Sequence, residues 1–241
     1  MSFLEAQGLV KSFKSLTVVD RVDLKVNSGE VVGLLGPNGA GKTPCFYIIC
    51  GLIRKDAGTI HLDQREISNL PMHQRARLGV GYLPQEPSIF RRLTVEQNIL
   101  AVLEALPHLN QDERQHRAEI MLNDFGIKHK RNALGVTLSG GERRRVEIAR
   151  AVSLEPSFIL LDEPFAGIDP ISVGDLQRMI RYLRKNGIGV LITDHNVRET
   201  LGICDRAYIL SAGKVLTSGT ANQILEDTEV RSVYLGDEFR L

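Results

Sequence analysis

Three short runs of nearly unbroken apolar residues mark this chain: VVGLL at 31–35, SFILLDE at 157–163 and GIGVLITDH at 187–195. A run of that length, bounded by turn residues or charges, predicts a strand buried on both faces. Around them the pattern changes. Residues 18–26 (VVDRVDLKV) alternate apolar and polar, which predicts a half-exposed strand, and GTIHLDQREI at 58–67 reads as another outer strand. LGVGYLPQ at 78–85 is short and β-like, and AYILSAGKVLTSGT at 207–220 reads as a hairpin around Ala212-Gly213. Apolar residues fall at helical spacing in 43–53 and 171–186, and throughout TVEQNILAVLEAL and DERQHRAEIMLNDFGI. Buried strands alternating with helices predict an α/β fold with a mostly parallel core sheet and antiparallel outer strands. The expected organisation is a single domain over 1–241. Its core subdomain takes 1–86 and 157–241, and a helical subdomain takes 87–156.

Composition narrows the function classes. Apolar residues make up 43% of the 241 and charged residues 24%, with a net charge of +1. That balance supports a soluble globular domain and gives no reason to expect nucleic acid as a partner. The densest basic run, Glu142-Arg143-Arg144-Arg145, reads by default as a solvated helix face. Cys45, Cys50 and Cys204 are odd in number and lack C-x-x-C spacing, so a disulfide framework or a zinc site is not expected. No apolar run approaches the ~20 residues of a membrane span, and the charges in MSFLEAQGLVKSF do not suit a secretory signal.

The chemistry concentrates at the strand ends. Gly36-Pro37-Asn38-Gly39-Ala40-Gly41-Lys42-Thr43 fits G-x-x-x-x-G-K-[ST], the loop whose backbone N–H groups cradle phosphates. It follows a strand and precedes a helix, as that motif requires. Lys42 is placed to reach the β- and γ-phosphates, and the Thr43 hydroxyl to hold Mg²⁺. The strand FILLD ends in Asp162-Glu163, two adjacent carboxylates on the edge where parallel sheets gather ligands. Asp162 suits Mg²⁺ and Glu163 suits a general base for an attacking water. A solvated strand end would explain the pair equally well without the phosphate loop upstream. Leu138-Ser139-Gly140-Gly141-Glu142 opens a helix with the S-x-x-E capping-box spacing, and its glycines leave backbone N–H groups uncovered at a positive helix end. A plain capped helix is the alternative reading.

Taken together, these motifs resemble the nucleotide-binding subunits of ABC transporters, over essentially the whole chain. LSGGE resembles that family's signature, Gln85 its Q-loop, AGID (166–169) its D-loop, and His195 its switch histidine. The resemblance implies an ABC cassette fold, ATP and Mg²⁺ as ligands, and ATP hydrolysis. It gives Gln85 a part in holding nucleotide and metal, and makes Phe13 the aromatic that stacks on adenine. It implies a head-to-tail pair of copies, in which Lys42 and Thr43 face Ser139, Gly140, Gly141 and Glu142 of the second copy across ATP, with Asp169 linking the sites and His195 at the γ-phosphate. It further implies membrane subunits docking near Phe90 and Arg91, on the cytoplasmic face of an inner membrane. Within the family, YLPQEPSIFRRLTV, DEPFAGIDPISV, TDHNVRET and VYLGDEFRL resemble the ATPase subunits of lipopolysaccharide exporters; branched-chain amino-acid importers are the alternative. A non-transport ATPase of this superfamily would need a coiled-coil insertion or a second cassette, and neither is present. The apolar end, with Val233, Tyr234, Leu235 and Phe239, is expected to dock, with the dimer contact one place for it.

Two residues depart from the family's pattern. Glu142 stands where glutamine is commoner, and its side chain is expected to be taken up by the cap or by Arg143–Arg145. Pro44 stands where Ser or Thr is usual. It falls in the first helical turn, where a missing N–H breaks no helical bond, so the fold should survive while one contact to the α-phosphate is lost.

Overall fold

The computed structural model describes residues 2–236. Its centre is a six-stranded sheet made of β3 (Val31–Leu35), β6 (Val80–Leu83), β7 (Phe158–Asp162), β8 (Gly189–Thr193), β9 (Arg206–Ser211) and β10 (Lys214–Gly219). The order is β10-β9-β3-β8-β7-β6, parallel except for the β9–β10 hairpin. Every residue of β3, β7 and β8 is buried. Burial on both faces is why their sequences show no alternation. Side chains still alternate between two cores. Ile159, Leu161, Val190 and Ile192 face one, and Phe158, Leu160, Leu191, Val32 and Leu34 face the other.

The second core is closed by an antiparallel sheet of β1 (Phe3–Phe13), β2 (Leu16–Asn27), β4 (Ala57–Leu62) and β5 (Arg65–Glu66), in the order β2-β1-β4-β5. Residues 58–67, expected as one strand, are a tight hairpin. Asp63 adopts φ 55° and the chain folds back to pair Leu62 with Arg65. Between the two sheets lies α1 (Lys42–Cys50), which buries Phe46, Ile48 and Ile49. Each such side chain is worth roughly 1.5–3 kcal/mol. The carbonyls at its C-terminus meet the buried guanidinium of Arg75 on α2 (Met72–Arg77), which donates to Ile48 O, Ile49 O, Leu70 O and Ser68 O at 2.6–3.0 Å.

The first core belongs to the helices. α3 (Val95–Leu103), α4 (Gln111–Asp124) and α5 (Gly140–Val152) all fall between β6 and β7 in sequence, and α6 (Pro170–Lys185) follows β7. Leu103, Leu122, Val146, Leu176 and Ile180 join in one cluster against the sheet. α7 (Val197–Leu201), α8 (Ala221–Glu226) and α9 (Thr228–Val230) pack around Leu35, Leu201 and Ile209. Of the apolar end, Tyr234 and Leu235 pack on that cluster within the same chain; Phe239 lies outside the described residues.

Candidate nucleotide site

Register builds the site. Leu34 of β3 and Asp162 of β7 both stand opposite Thr193 of β8, and Leu83 of β6 stands opposite Leu161. The next residues of these four strands therefore leave the sheet along a single carboxyl edge: the loop from Gly36, Asp194-His195, Glu163, and Pro84-Gln85. This edge is where a parallel sheet collects ligands.

The phosphate loop is held close to its neighbours. A Cβ on Gly36 would lie 2.2 Å from Leu210 O, and one on Gly41 2.2 Å from Val18 O, with Gly41 at φ 96°. Both positions require glycine. α1 then starts with no side-chain cap and no acid in its first turn. Its first helical bond runs from Cys45 N–H to Gly41 O at 3.0 Å, so Pro44 sits among residues whose N–H groups have no helical acceptor. The helix passes through Pro44 unbroken, and the free N–H groups of the turn are those of Lys42 and Thr43. Lys42 Nζ donates to Gly36 O at 2.6 Å and Pro37 O at 2.9 Å. Burial lowers its pKa, and the Glu163 carboxylate opposes that shift.

Glu163 leaves β7 at φ 42°, a left-handed conformation strained for a side chain, with its N–H donated to Thr193 O at 2.7 Å. Its Oε2 accepts from Gln85 Nε2 at 2.7 Å and lies 3.3 Å from His195 Nδ1. Glu163 is thus held between the two side chains that the sequence also singled out. Beneath His195, Asp194 is fully buried and accepts N–H groups from Phe165 (2.9 Å) and Asn196 (2.7 Å). Burial raises its pKa against those bonds. The sequence did not single out Asp194, although a carboxylate one residue before His195, at a strand end, is the signal that could have found it.

Asp162 is 3% exposed, and burial raises its pKa; the Tyr47 and Tyr82 phenols pull the other way. The donors on this edge are the Thr43 hydroxyl, the Gln85 amide oxygen and the Asp162 carboxylate. All are hard oxygens, the set Mg²⁺ takes beside substrate phosphates. Among the described residues no cluster of three or more His, Cys, Asp or Glu could bind a metal alone. The hard oxygens of Thr43, Gln85 and Asp162 fit an ion that shares its coordination with a nucleotide.

Phe13 is half exposed at the end of β1, so it is not core; Lys11 Nζ lies over its ring at 5.5 Å from the centroid. Asp169 caps α6, accepting Ser172 N–H at 3.0 Å; the Ser172 hydroxyl and then that N–H lower its pKa.

The signature opens α5 elsewhere on the chain. Among the described residues no hydrogen bond or ion pair joins Ser139, Gly140 or Gly141 to the phosphate loop. Ser139 N–H donates to Glu142 Oε2 at 2.9 Å, and Glu142 N–H to Ser139 Oγ at 3.3 Å, completing the capping box. Glu142 finds its cation in Lys130 at 3.1 Å and not in Arg143–Arg145, because Arg143 and Arg144 donate to the Leu138 and Pro84 carbonyls and Arg145 pairs with Asp175. The expectation of a solvated basic face is also overturned. Arg144 is 7% exposed and donates to Pro84 O, Glu147 and Asp162 O; Arg145 pairs with Asp175. Glu147, buried as well, accepts the N–H groups of Ser88 (2.6 Å) and Ile89 (3.0 Å), and Arg150 donates to Ser88 O and stacks 4.6 Å from the Phe90 ring. Arg144 read as part of a solvated run because sequence spacing does not tell which face of α5 is covered.

Phe90 is 45% exposed, and Leu134 and Val136 beside Arg91 and Arg92 are comparably open. No helix among the described residues is long and apolar enough to cross a membrane.

Comparison with known proteins agrees with this geometry. The ABC transporter family model matches residues 19–166. The lipopolysaccharide export system ATP-binding protein LptB of Haemophilus influenzae is 59% identical over 241 residues, covering all of both chains. An ATP-binding cassette of an ABC transporter, solved in its ADP conformation, is 27% identical with a TM-score of 0.87 over 98% of this chain and 100% of that one. A bacterial ABC transporter cassette solved as a dimer shares the fold, at 23% identity and a TM-score of 0.79 over 90% of this chain and 98% of that one. With a phosphate loop, an Asp-Glu strand end and a capped LSGGE helix on this scaffold, and with a family match over more than half its length, the chain belongs to the ABC transporter family.

Proposed function

We propose that this chain is the ATP-hydrolysing subunit of a transporter that exports lipopolysaccharide, working as a head-to-tail pair on the cytoplasmic face of an inner membrane. The observation that carries the ATPase reading is Glu163, held 2.7 Å from Gln85 and 3.3 Å from His195 at the sheet edge beside the phosphate loop. Lys42 and the N-terminus of α1 bind the phosphates, and Phe13 covers the base. Thr43, Gln85 and Asp162 hold Mg²⁺, which when bound supplies charge neutralisation at the phosphates. Glu163 takes the proton of the attacking water, and His195 holds the carboxylate in place and faces the γ-phosphate. The pairing follows from the single chain's incompleteness: its signature meets no phosphate loop of its own, so Ser139, Gly140 and Gly141 serve the site of a second copy, with Asp169 at the join. The membrane subunits dock at Phe90 and Arg91. Full-length identity to LptB supports lipopolysaccharide as the cargo.

Glu163→Gln tests the reading. It should leave ATP binding intact and lower turnover by about 10²–10⁴-fold, the usual worth of a positioned general base. Normal turnover in this variant would sink the assignment. The cargo is tested by expressing the chain in place of the Haemophilus relative; failure to restore lipopolysaccharide export would remove that part alone.

A further inference from the structure

Asp162 has few friends for a carboxylate so deeply covered. It is 3% exposed; among the described residues the Tyr82 phenol donates a hydrogen bond to its side chain, and the Tyr47 phenol lies close enough to favour its charged form. Tyr82 Oη donates to Asp162 Oδ2 at 3.4 Å, and the Tyr47 hydroxyl approaches the same carboxylate and the Tyr82 hydroxyl. Buried carboxylates need donors to stay charged, and burial keeps both phenols protonated.

Where these tyrosines sit matters more than the bonds alone. Tyr47 stands four residues after Thr43 on α1, so it lies on the same helical face. Tyr82 stands on β6, three residues before Gln85. Tyr47 therefore rises from the helix that carries Thr43, Tyr82 from the strand that leads into Gln85, and both approach the third donor, Asp162. Phe46, beside Tyr47 on α1, also packs on the Tyr82 ring, with centroids 6.3 Å apart, so α1 and β6 are joined behind the carboxylate.

We propose that Tyr47 and Tyr82 are positioning residues for the divalent cation: they brace α1, β6 and β7 against one another at Asp162 and so fix the spacing of Thr43, Asp162 and Gln85. Neither touches nucleotide. The inference rests on the Mg²⁺-nucleotide reading above and adds to it residues outside the motifs. The lever is general, since groups that orient a ligand change metal affinity without touching the metal.

The test uses the full chain saturated with ADP and titrated with Mn²⁺, read by electron paramagnetic resonance, in the wild type, Tyr47→Phe, Tyr82→Phe and the double variant. The two phenols together should be worth about tenfold in Mn²⁺ affinity, the low end for orienting partners because the Tyr82 bond is long. Affinity for a fluorescent ADP analogue in EDTA should stay within about twofold, and the half-saturating Mg²⁺ of the ATPase should rise in step, with near-normal turnover at high Mg²⁺. Unchanged Mn²⁺ affinity in the double variant overturns the inference. So does a parallel loss of metal-free ADP affinity, which would mean that the phenols only support α1. If the double variant does not fold, Tyr82→Phe alone decides on the same criteria. A wild type that binds no Mn²⁺ with ADP would bring down the Mg²⁺-nucleotide reading itself, and a wild type that binds it while the variants match it would bring down only the brace.

Discussion

Two helices begin at glycine-rich motifs in this protein, and they begin in opposite ways. α1 starts bare: no cap, no acid in its first turn, and a lysine folded back onto the loop carbonyls. α5 starts satisfied: Ser139 and Glu142 exchange hydrogen bonds, and Glu142 is paired with Lys130. A bare, positive helix end surrounded by a loop is an anion site by itself. A capped end carrying a carboxylate is not, and the donors it leaves over are the N–H groups of Gly140 and Gly141 and the proton of the Ser139 hydroxyl. In the proposed function the two ends are therefore unequal partners: the first would grip phosphate and the second complete a grip made elsewhere. The helix bodies differ too. α1 is anchored by apolar packing and by Arg75 at its far end. α5 is anchored by the buried pair Arg144–Glu147 and, through Glu147 and Arg150, holds Ser88 and Ile89 beneath the exposed Phe90. The signature and the surface proposed for docking thus share one element, and the phosphate loop does not.

The largest expected effect strikes the α5 anchor. Glu147→Ala leaves Arg144 buried without its partner and frees the Ser88 and Ile89 amides. Thermal or urea unfolding should report a loss of about 3–5 kcal/mol; a change below ~1 kcal/mol would mean that the pair does not hold the helix. Next comes the inequality of the two helix ends. Ser139→Ala should leave nucleotide binding to the single chain nearly unchanged while lowering turnover about 10²–10³-fold, as when one transition-state donor is lost. Lys42→Ala should weaken binding in the single chain, and mixing the two variants should restore activity through one intact composite site. Equal binding losses in both would erase the distinction. Smaller again is Phe90→Ala, which should weaken assembly with the membrane subunits by about 2 kcal/mol or more, as a hot-spot aromatic does, and spare the isolated ATPase. Assembly that survives at full strength would detach the docking surface from α5. The smallest is Pro44→Thr, which restores an N–H and a hydroxyl to the α1 end and should tighten ADP by about 1.5 kcal/mol, the low end for a charge-assisted bond to a phosphate that water can also solvate. Calorimetry showing no change would mean that the bare end already offers all it needs.

Much of this was legible along the chain. The three buried strands, the phosphate loop, Asp162-Glu163, the signature helix and His195 were each readable, since each depends on residues adjacent in sequence or at a fixed helical or strand period. The outer hairpin at 62–65 was hidden because Asp63 and Gln64 carry no glycine to announce a turn. β1 was hidden because register shifts between Ala6 and Ser12 break its apolar–polar alternation.

What the sequence by itself determined is the local chemistry: which loop can wrap a phosphate, which strand ends in carboxylates, which helix begins with a capping box, and that a proline in the first turn of α1 leaves the helix whole. Those are short-range matters of φ/ψ, periodicity and donor count. What only the tertiary structure decided is who stands beside whom. Strand register put Gly36, Glu163, Asp194 and Gln85 on one edge, and packing chose Lys130 over three nearer arginines for Glu142. It buried Arg144 and brought Tyr47 and Tyr82 to Asp162. Burial and long-range pairing depend on the whole chain folding around two cores, and no window of sequence contains them.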